Sequence, residues 1–157
     1  VKGDIYEGGI RVPFIASWPG VIEPGQSSDA IVSTLDLLPT SAALAGAELR
    51  AAHEGVDLMP WLSGERKDAT RPAIYWSWRG NVAAIRVGML KEIRNGKGVR
   101  ADPKLPNHLS VDFASNPTED PQHPLESFGK AQLLSSELDA WLQQLRKDAA
   151  EYSEKSH

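Results

Sequence analysis

The chain has 157 residues, with 17 Lys and Arg residues against 21 Asp and Glu residues and a net charge of −4. This length allows one ordinary domain or two small ones, and the charge offers no basic surface for a nucleic acid or an anionic membrane. The chain has no cysteine, so disulfides and thiolate chemistry are not expected. It also has no apolar run near the roughly 20 residues of a membrane-spanning helix. Together with the charge, this argues against nucleic acid and membrane partners.

The first twenty residues, VKGDIYEGGIRVPFIASWPG, combine a glycine pair with an apolar run. Gly8 and Gly9 would each cost a helix about 1 kcal/mol relative to alanine, so we interpret the stretch from Glu7 to Arg11 as a loop. Residues 10–18 are mostly apolar, which predicts a strand covered on both faces. Trp18-Pro19-Gly20 predicts a turn that ends this strand.

Two later segments share an Asp-Leu-x-Pro pattern, DLLPTSAALAG from Asp36 and DLMPWLSG from Asp57. An aspartate before a helix accepts a hydrogen bond from an unpaired amide, and proline is tolerated in the first turn. Gly46 and Gly64 are natural left-handed stops. The pattern predicts one helix of moderate length and one short helical turn, each capped by its aspartate.

The polar stretch from Ser63 to Pro72 predicts a surface linker between two structural units. We therefore divide the chain into residues 1–68 and residues 69–157. Short β-prone runs follow the linker, with turn signals at residues 79–81 and 95–96, and they predict an antiparallel meander.

A further strand is expected around His108 to Phe113, which would complete the meander. Trp76 and Trp78 fall on one strand face. They could stack on a sugar or aryl ring, but we favour packing against the terminal helix, especially Trp141, because large aromatic residues in small sheets usually serve the core.

The segment ASNPTEDPQHPLE predicts a surface loop in which Glu119 and Asp120 are solvated. The last element is an amphipathic helix from Lys130 to about Ala149, followed by a frayed tail. Its apolar stripe contains Leu134, Leu138, Trp141, Leu142 and Leu145.

The opening stretch KGDIYEGGIRVPFIASWPG resembles the sulfatase family, in which K-G-x-x-x-E-G-G-x-R-x-P leads into a core strand ending in Trp-Pro-Gly. The likeness continues in STLDLLPTSAALAG and GVDLMPWLSGE, and loosely in the acidic loop. The resemblance implies a sulfuric ester hydrolase. It also implies an α/β fold that becomes α+β in the second half: the end of an alkaline-phosphatase-like core, then a small antiparallel sheet packed with a C-terminal helix.

The resemblance further implies a formylglycine nucleophile, made from Cys or Ser, and a calcium ion held by Asp and Asn side chains. In the family both lie before the lysine segment, and we predict no metal ligands in the present residues. The stretch from Ser115 to Glu119 lacks the arginine of the modification motif, so we interpret it as a turn. We expect Val1 to be a cut point, the missing N-terminal part of the same protein to be a partner, and the isolated piece to be inactive.

The family pattern assigns the catalytic contact with the sulfate group to Lys2. Glu7 and Arg11 flank the glycine pair Gly8 and Gly9, and we expect them to pair with each other or with backbone amides and so fix the loop that presents Lys2. These four residues are predicted to position the site rather than to react.

Two other functions stay open. A phosphate or phosphonate monoester hydrolase of the same superfamily would bind a similar tetrahedral anion, and a sulfatase-like scaffold would bind without catalysis. The resemblance implies a periplasmic, secreted or lysosome-like location. If the first unit normally packs on strands encoded elsewhere, the isolated chain is expected to self-associate.

Overall fold

A computed structural model of the chain describes residues 5–50, 53–68, 71–78, 82–95 and 106–155. The chain divides into two compact units, one of residues 1–12 with 73–157 and one of residues 13–72. This grouping concerns compactness alone, so the division at residues 68 and 69 stays a prediction. The helices are α1 (Glu7–Ile10), α2 (Leu37–Leu44), α3 (Met59–Leu62) and α4 (Phe128–Lys155), and the strands are β1 (Ile74–Trp78), β2 (Val82–Val87), β3 (Leu90–Asn95) and β4 (His108–Asp112).

The four strands form one sheet in the order β1-β2-β3-β4, and each neighbouring pair is antiparallel. The predicted meander is therefore confirmed, including the strand that begins at His108. The turn between β2 and β3 lies at Gly88 and Met89, where Gly88 has a left-handed φ of 56° that favours glycine. The predicted turn at residues 79–81 and Gly96 lie outside the described residues.

One face of the sheet packs against α4. Ala83 and Ile85 of β2 are almost fully buried against the helix, because the helix and this face of the sheet are both apolar. The predicted helix is confirmed, and three leucines of its stripe are buried: Leu134, Leu138 and Leu142. The helix extends to Lys155, so the expected fraying of the tail from Glu151 was wrong for residues 151–155. Each added residue gains a backbone hydrogen bond, which favours continuation of an established helix.

The other face of the sheet, which we call the motif face, packs against Ile5 and Tyr6. Trp76 lies on this face, so its predicted packing against α4 was wrong. Side chains alternate across a strand, and the neighbour Tyr75 takes the helix side, where its ring stacks on Trp141 with centroids 4.9 Å apart. The buried core of the motif face contains Ile5, Val82, Ala84, Ile93, Leu109, Val111 and Phe113.

The predicted strand over residues 10–18 is not formed. Ile10 belongs to α1, and residues 11–18 have no regular secondary structure, with Ile15 90% exposed. A strand buried on both faces needs strands beside it, and the described part of residues 13–72 contains none. The turn that follows is confirmed, since the Ile22 amide donates to the Trp18 carbonyl over 2.9 Å.

Helix α2 begins directly after Asp36, as predicted, and ends at a left-handed Gly46 with a φ of 64°. The amides of Gly46 and Ala47 donate back to Ala43 and Ala42, which satisfies the last carbonyls of the helix. Helix α3 is the predicted short turn.

The two aspartates differ in what their carboxylates bind. The N-cap of α3 is Leu58, so the predicted N-cap at Asp57 was wrong by one residue. The Asp57 carboxylate nevertheless accepts from the Met59 amide over 2.9 Å and so satisfies one donor of the first turn. The Asp36 carboxylate makes no capping bond to α2. It accepts from the Ser33 amide over 2.7 Å and closes a capping box on a 3-10 turn, Thr34–Asp36, that precedes the helix.

Candidate functional site

Lys2, the predicted catalytic residue, lies outside the described residues. The described residues begin at Ile5. The stretch from Glu7, predicted to be a loop, is instead the single helical turn α1, in which the Arg11 amide donates to the Glu7 carbonyl over 2.8 Å. Two glycines weaken a helix by propensity, but contacts from the rest of the fold override propensity in a single turn. Those contacts come from the motif face of the sheet.

Lys91 of β3 is fully buried beneath α1. Its ammonium donates to the Ile5 carbonyl over 2.8 Å, to Glu7 Oε1 over 3.0 Å and to Glu119 Oε1 over 2.6 Å. A lysine ammonium carries three protons, and these three acceptors use all of them. The buried charge is therefore both neutralised and fully hydrogen-bonded, as burial of an ion requires.

Glu7 is held by two cations of the sheet. Arg86 Nη1 lies 3.0 Å from Glu7 Oε2, while Lys91 binds the other oxygen. The Arg86 guanidinium also lies over the Phe113 ring, 4.5 Å from its centroid. Glu7 thus pairs with residues far along the chain and not with Arg11, whose side chain is exposed. The pairing of Glu7 with Arg11, one of the predicted alternatives, was therefore wrong. The positioning roles of Glu7, Gly8, Gly9 and Arg11 stay predictions.

Glu119 reaches the same cluster from the loop after β4. Its carboxylate accepts from Lys91 and, through Oε2, from the Glu7 amide over 2.5 Å. The expectation that this glutamate is solvated was wrong, since its side chain is 3% exposed. A left-handed φ of 54°, uncommon for a non-glycine residue, is part of the backbone conformation that carries this side chain inward.

Asn116 organises that loop. Its side-chain amide donates to the Asp120 and His123 carbonyls, each over 2.8 Å, and its side-chain oxygen accepts from the Asp120 amide. The predicted turn from Ser115 to Glu119 is confirmed. Hydrogen bonds from the Gln122 amide and the His123 ring lower the pKa of Asp120, which stays at the surface. The loop therefore keeps Asp120 outside while it buries Glu119.

A separate ionic contact joins the opposite face of the sheet to α4. Arg94 of β3 donates to the Ser135 carbonyl over 2.8 Å, and it pairs with Asp139 and Glu92. The hydrogen bond from Arg94 lowers the pKa of Asp139. This contact anchors the helix but does not touch α1.

The unit of residues 13–72 has its own buried ion pair. Asp36 is fully buried, pairs with Arg71, and accepts from the Val56 amide over 3.0 Å. Gly55 lies directly beside this pair: a Cβ placed on it would come 2.1 Å from the Leu35 carbonyl oxygen. The close approach explains why only glycine fits at residue 55.

The described residues contain no group of three His, Cys, Asp or Glu side chains that could hold a metal ion. In the same described ranges, no helix is long and apolar enough to cross a membrane. The carboxylates of Glu7 and Glu119 are taken up by cations of the protein itself.

Sequence reasoning missed Arg86, Lys91 and Glu119. A weak indication was present in β3, where Lys91 alternates with Ile93 and so falls on the apolar side of its strand. No comparable local pattern marks Glu119, whose partners lie 28 and 112 residues away.

Residues 2–97 match a family described as N-sulphoglucosamine sulphohydrolase, C-terminal. The chain belongs to this sulfatase family. It is 36% identical to human arylsulfatase A over 169 residues, an alignment that covers 88% of the chain and 33% of the relative. It is 52% identical to rat steryl-sulfatase over 86 residues, which covers 54% of the chain and 15% of that relative. The sulfatase family predicted from the opening motif is thus confirmed.

Solved structures share the fold of the chain. One from Bacteroides thetaiotaomicron, from work on the metabolism of multiple glycosaminoglycans, gives a TM-score of 0.69 at 22% identity and covers 90% of the chain and 30% of its own length. Another, in complex with its substrate D-glucosamine-2-N,6-O-disulfate, gives a TM-score of 0.56 at 23% identity over 83% of the chain and 27% of its own length. The predicted fold class is confirmed. The chain spans between 15% and 33% of the length of these relatives and solved structures.

Proposed function

We propose that the chain is the C-terminal part of a sulfatase that hydrolyses sulfate esters, with Lys2 in contact with the sulfate group. The observation that carries this proposal is the family match, which starts at residue 2 and so includes the whole lysine-to-arginine motif. Human arylsulfatase A and rat steryl-sulfatase, both sulfatases by name, support the class of substrate.

Hydrolysis of a sulfate ester breaks a sulfur–oxygen bond while negative charge grows on the leaving oxygen. Fixed positive charge at the sulfate oxygens stabilises that transition state, and the ammonium of Lys2 would supply it. The turn α1 supports this role, because it holds the motif at Glu7 by bonds to two buried or half-buried cations of the sheet.

The formylglycine nucleophile and the calcium ion are assigned to the preceding part of the enzyme. The chain has no cysteine, and the described residues offer no carboxylate cluster for a calcium cage. On this proposal the chain supplies the lysine and the scaffold that holds it. The isolated 157-residue chain is then expected to have no turnover.

The test is the substitution Lys2→Ala in the complete enzyme, assayed with an aryl sulfate and with the matching aryl phosphate. Loss of a preorganised charge contact at the transition state typically costs about 10²- to 10³-fold in kcat, which is the loss we expect on the sulfate ester. Lys147→Ala, which removes an exposed lysine from α4, is the matched control and should leave kcat unchanged. Wild-type turnover in Lys2→Ala would contradict the role of Lys2, and a preference for the phosphate ester would favour a phosphatase of the same superfamily.

A further inference from the structure

Two residues from distant parts of the chain form hydrogen bonds with the backbone on either side of Tyr6. The Lys91 ammonium binds the Ile5 carbonyl, and the Glu119 carboxylate binds the Glu7 amide. Lys91 and Glu119 also form an ion pair with each other over 2.6 Å, and both side chains are buried. We call this pair the Lys91–Glu119 clamp.

We propose that the Lys91–Glu119 clamp positions Lys2 against the substrate, so that Lys91 and Glu119 are positioning residues of the sulfatase. This inference rests on the proposed function. Ile5 is three residues from Lys2, and three extended residues span at most about 10 Å. The clamp therefore fixes the position of Ile5, the described residue nearest to Lys2 in the chain.

The chemistry of the clamp favours a positioning role over simple packing. Burying ions costs several kcal/mol each before pairing, and an apolar cluster would fill the motif face at lower cost. Both clamp residues direct a hydrogen bond at the backbone of the motif, and directional bonds to backbone define one location. Arg86 adds a third restraint through the second oxygen of Glu7. The arrangement specifies where α1 lies in a way that apolar packing alone would not.

The expected consequence is kinetic. A misplacement of about 1 Å in a group that contacts the reacting centre can cost about 100-fold in rate, and loss of an outer-shell partner typically costs about 10- to 100-fold. We expect Lys91→Met to lower kcat by about 10- to 100-fold while KM stays within about twofold, because the contact made by Lys2 strengthens in the transition state.

The experiment uses the complete enzyme with an activated aryl sulfate, and kcat is expressed per folded molecule. The matched control is Arg94→Met, which removes a half-buried cation from the same strand but on the face that binds α4. This control should lower thermal stability and leave kcat within about twofold. If Lys91→Met fails to fold, Glu119→Gln takes its place, because glutamine keeps an oxygen for the Glu7 amide and loses both the charge and the acceptor oxygen that bind Lys91.

A double-mutant cycle with Lys2→Ala separates positioning from other effects. If the clamp acts through Lys2, then Lys91→Met lowers kcat in the wild-type background and leaves the kcat of Lys2→Ala unchanged. Equal losses in both backgrounds, or an unchanged kcat in the single variant, would overturn the positioning role. Wild-type turnover in Lys2→Ala alone would overturn the proposed role of Lys2 itself, so the two failures are distinguishable.

Discussion

Removal of the buried ammonium of Lys91 should strongly destabilise the unit that contains the sheet, residues 1–12 with 73–157. In Lys91→Met three acceptors lose their donor: the Ile5 carbonyl, one oxygen of Glu7 and one oxygen of Glu119. Breaking a buried ion pair from one side costs about 3 to 5 kcal/mol, of which an unsatisfied carbonyl alone accounts for about 1 to 3 kcal/mol. Glu7 keeps Arg86, and Glu119 keeps the Glu7 amide. We therefore expect a loss of about 3 to 5 kcal/mol, not more.

The measurement is urea unfolding followed by Trp fluorescence, since Trp76 and Trp141 lie on opposite faces of the sheet. With a slope of about 2 kcal/mol per molar urea, the midpoint should fall by roughly 2 M. Glu119→Gln added to Lys91→Met should cost less than the two single losses together, because it removes a carboxylate that has lost its cation. A midpoint shift below about 0.3 M, or strict additivity of the two changes, would refute the assignment of Lys91 as a fully satisfied buried charge.

Two further predictions concern other parts of the chain. Gly55→Ala should destabilise the unit of residues 13–72 by about 1 to 3 kcal/mol in urea unfolding, because the added Cβ would lie 2.1 Å from the Leu35 carbonyl oxygen. The control is Gly8→Ala, where an added Cβ meets nothing within 4 Å, and this change should stabilise the protein by about 0.5 to 1 kcal/mol. A loss of stability in Gly8→Ala as large as that in Gly55→Ala would refute the steric argument. Arg94 lowers the pKa of Asp139, so their contact stabilises the fold at pH values above the ordinary aspartate pKa of about 3.9. This stabilisation is lost as the pH falls through the lowered pKa of Asp139. Because the Asp139 side chain is 58% exposed, the free energies of unfolding of wild type and Asp139→Asn, measured across an acid titration, should differ by less than about 1 kcal/mol.

The elements that were predictable from sequence are those set by local periodicity. The stripe of leucines in α4 repeats at helical spacing, and the runs of β1 to β4 are short and separated by turn residues. The hydrogen bond from the Met59 amide at the start of α3 to the Asp57 carboxylate is also local, since donor and acceptor lie two residues apart. In each case the residues that decide the structure are neighbours in sequence.

The elements that were missed depend on distant partners. The carboxylates of Glu7 and Glu119 and the ammonium of Lys91 meet across 28 to 112 residues. Asp36 resembles a simple helix cap, yet it binds Val56 and Arg71, 20 and 35 residues away. A charged residue has the same local appearance whether it is solvated or buried beside a partner, so sequence pattern alone cannot distinguish the two.

The two cations that bind Glu7 also explain why the motif has a glutamate at residue 7. Both of its oxygens accept from cations, Oε1 from Lys91 and Oε2 from Arg86. A glutamine would present an NH₂ group to one of these donors, and an aspartate is shorter by one methylene. The turn that follows is exposed at Gly8, so the motif is anchored on the side of the sheet and open on the other. This combination, with one side fixed by directional charged contacts and the other left accessible, suits the proposed role in which the segment brings Lys2 to a substrate.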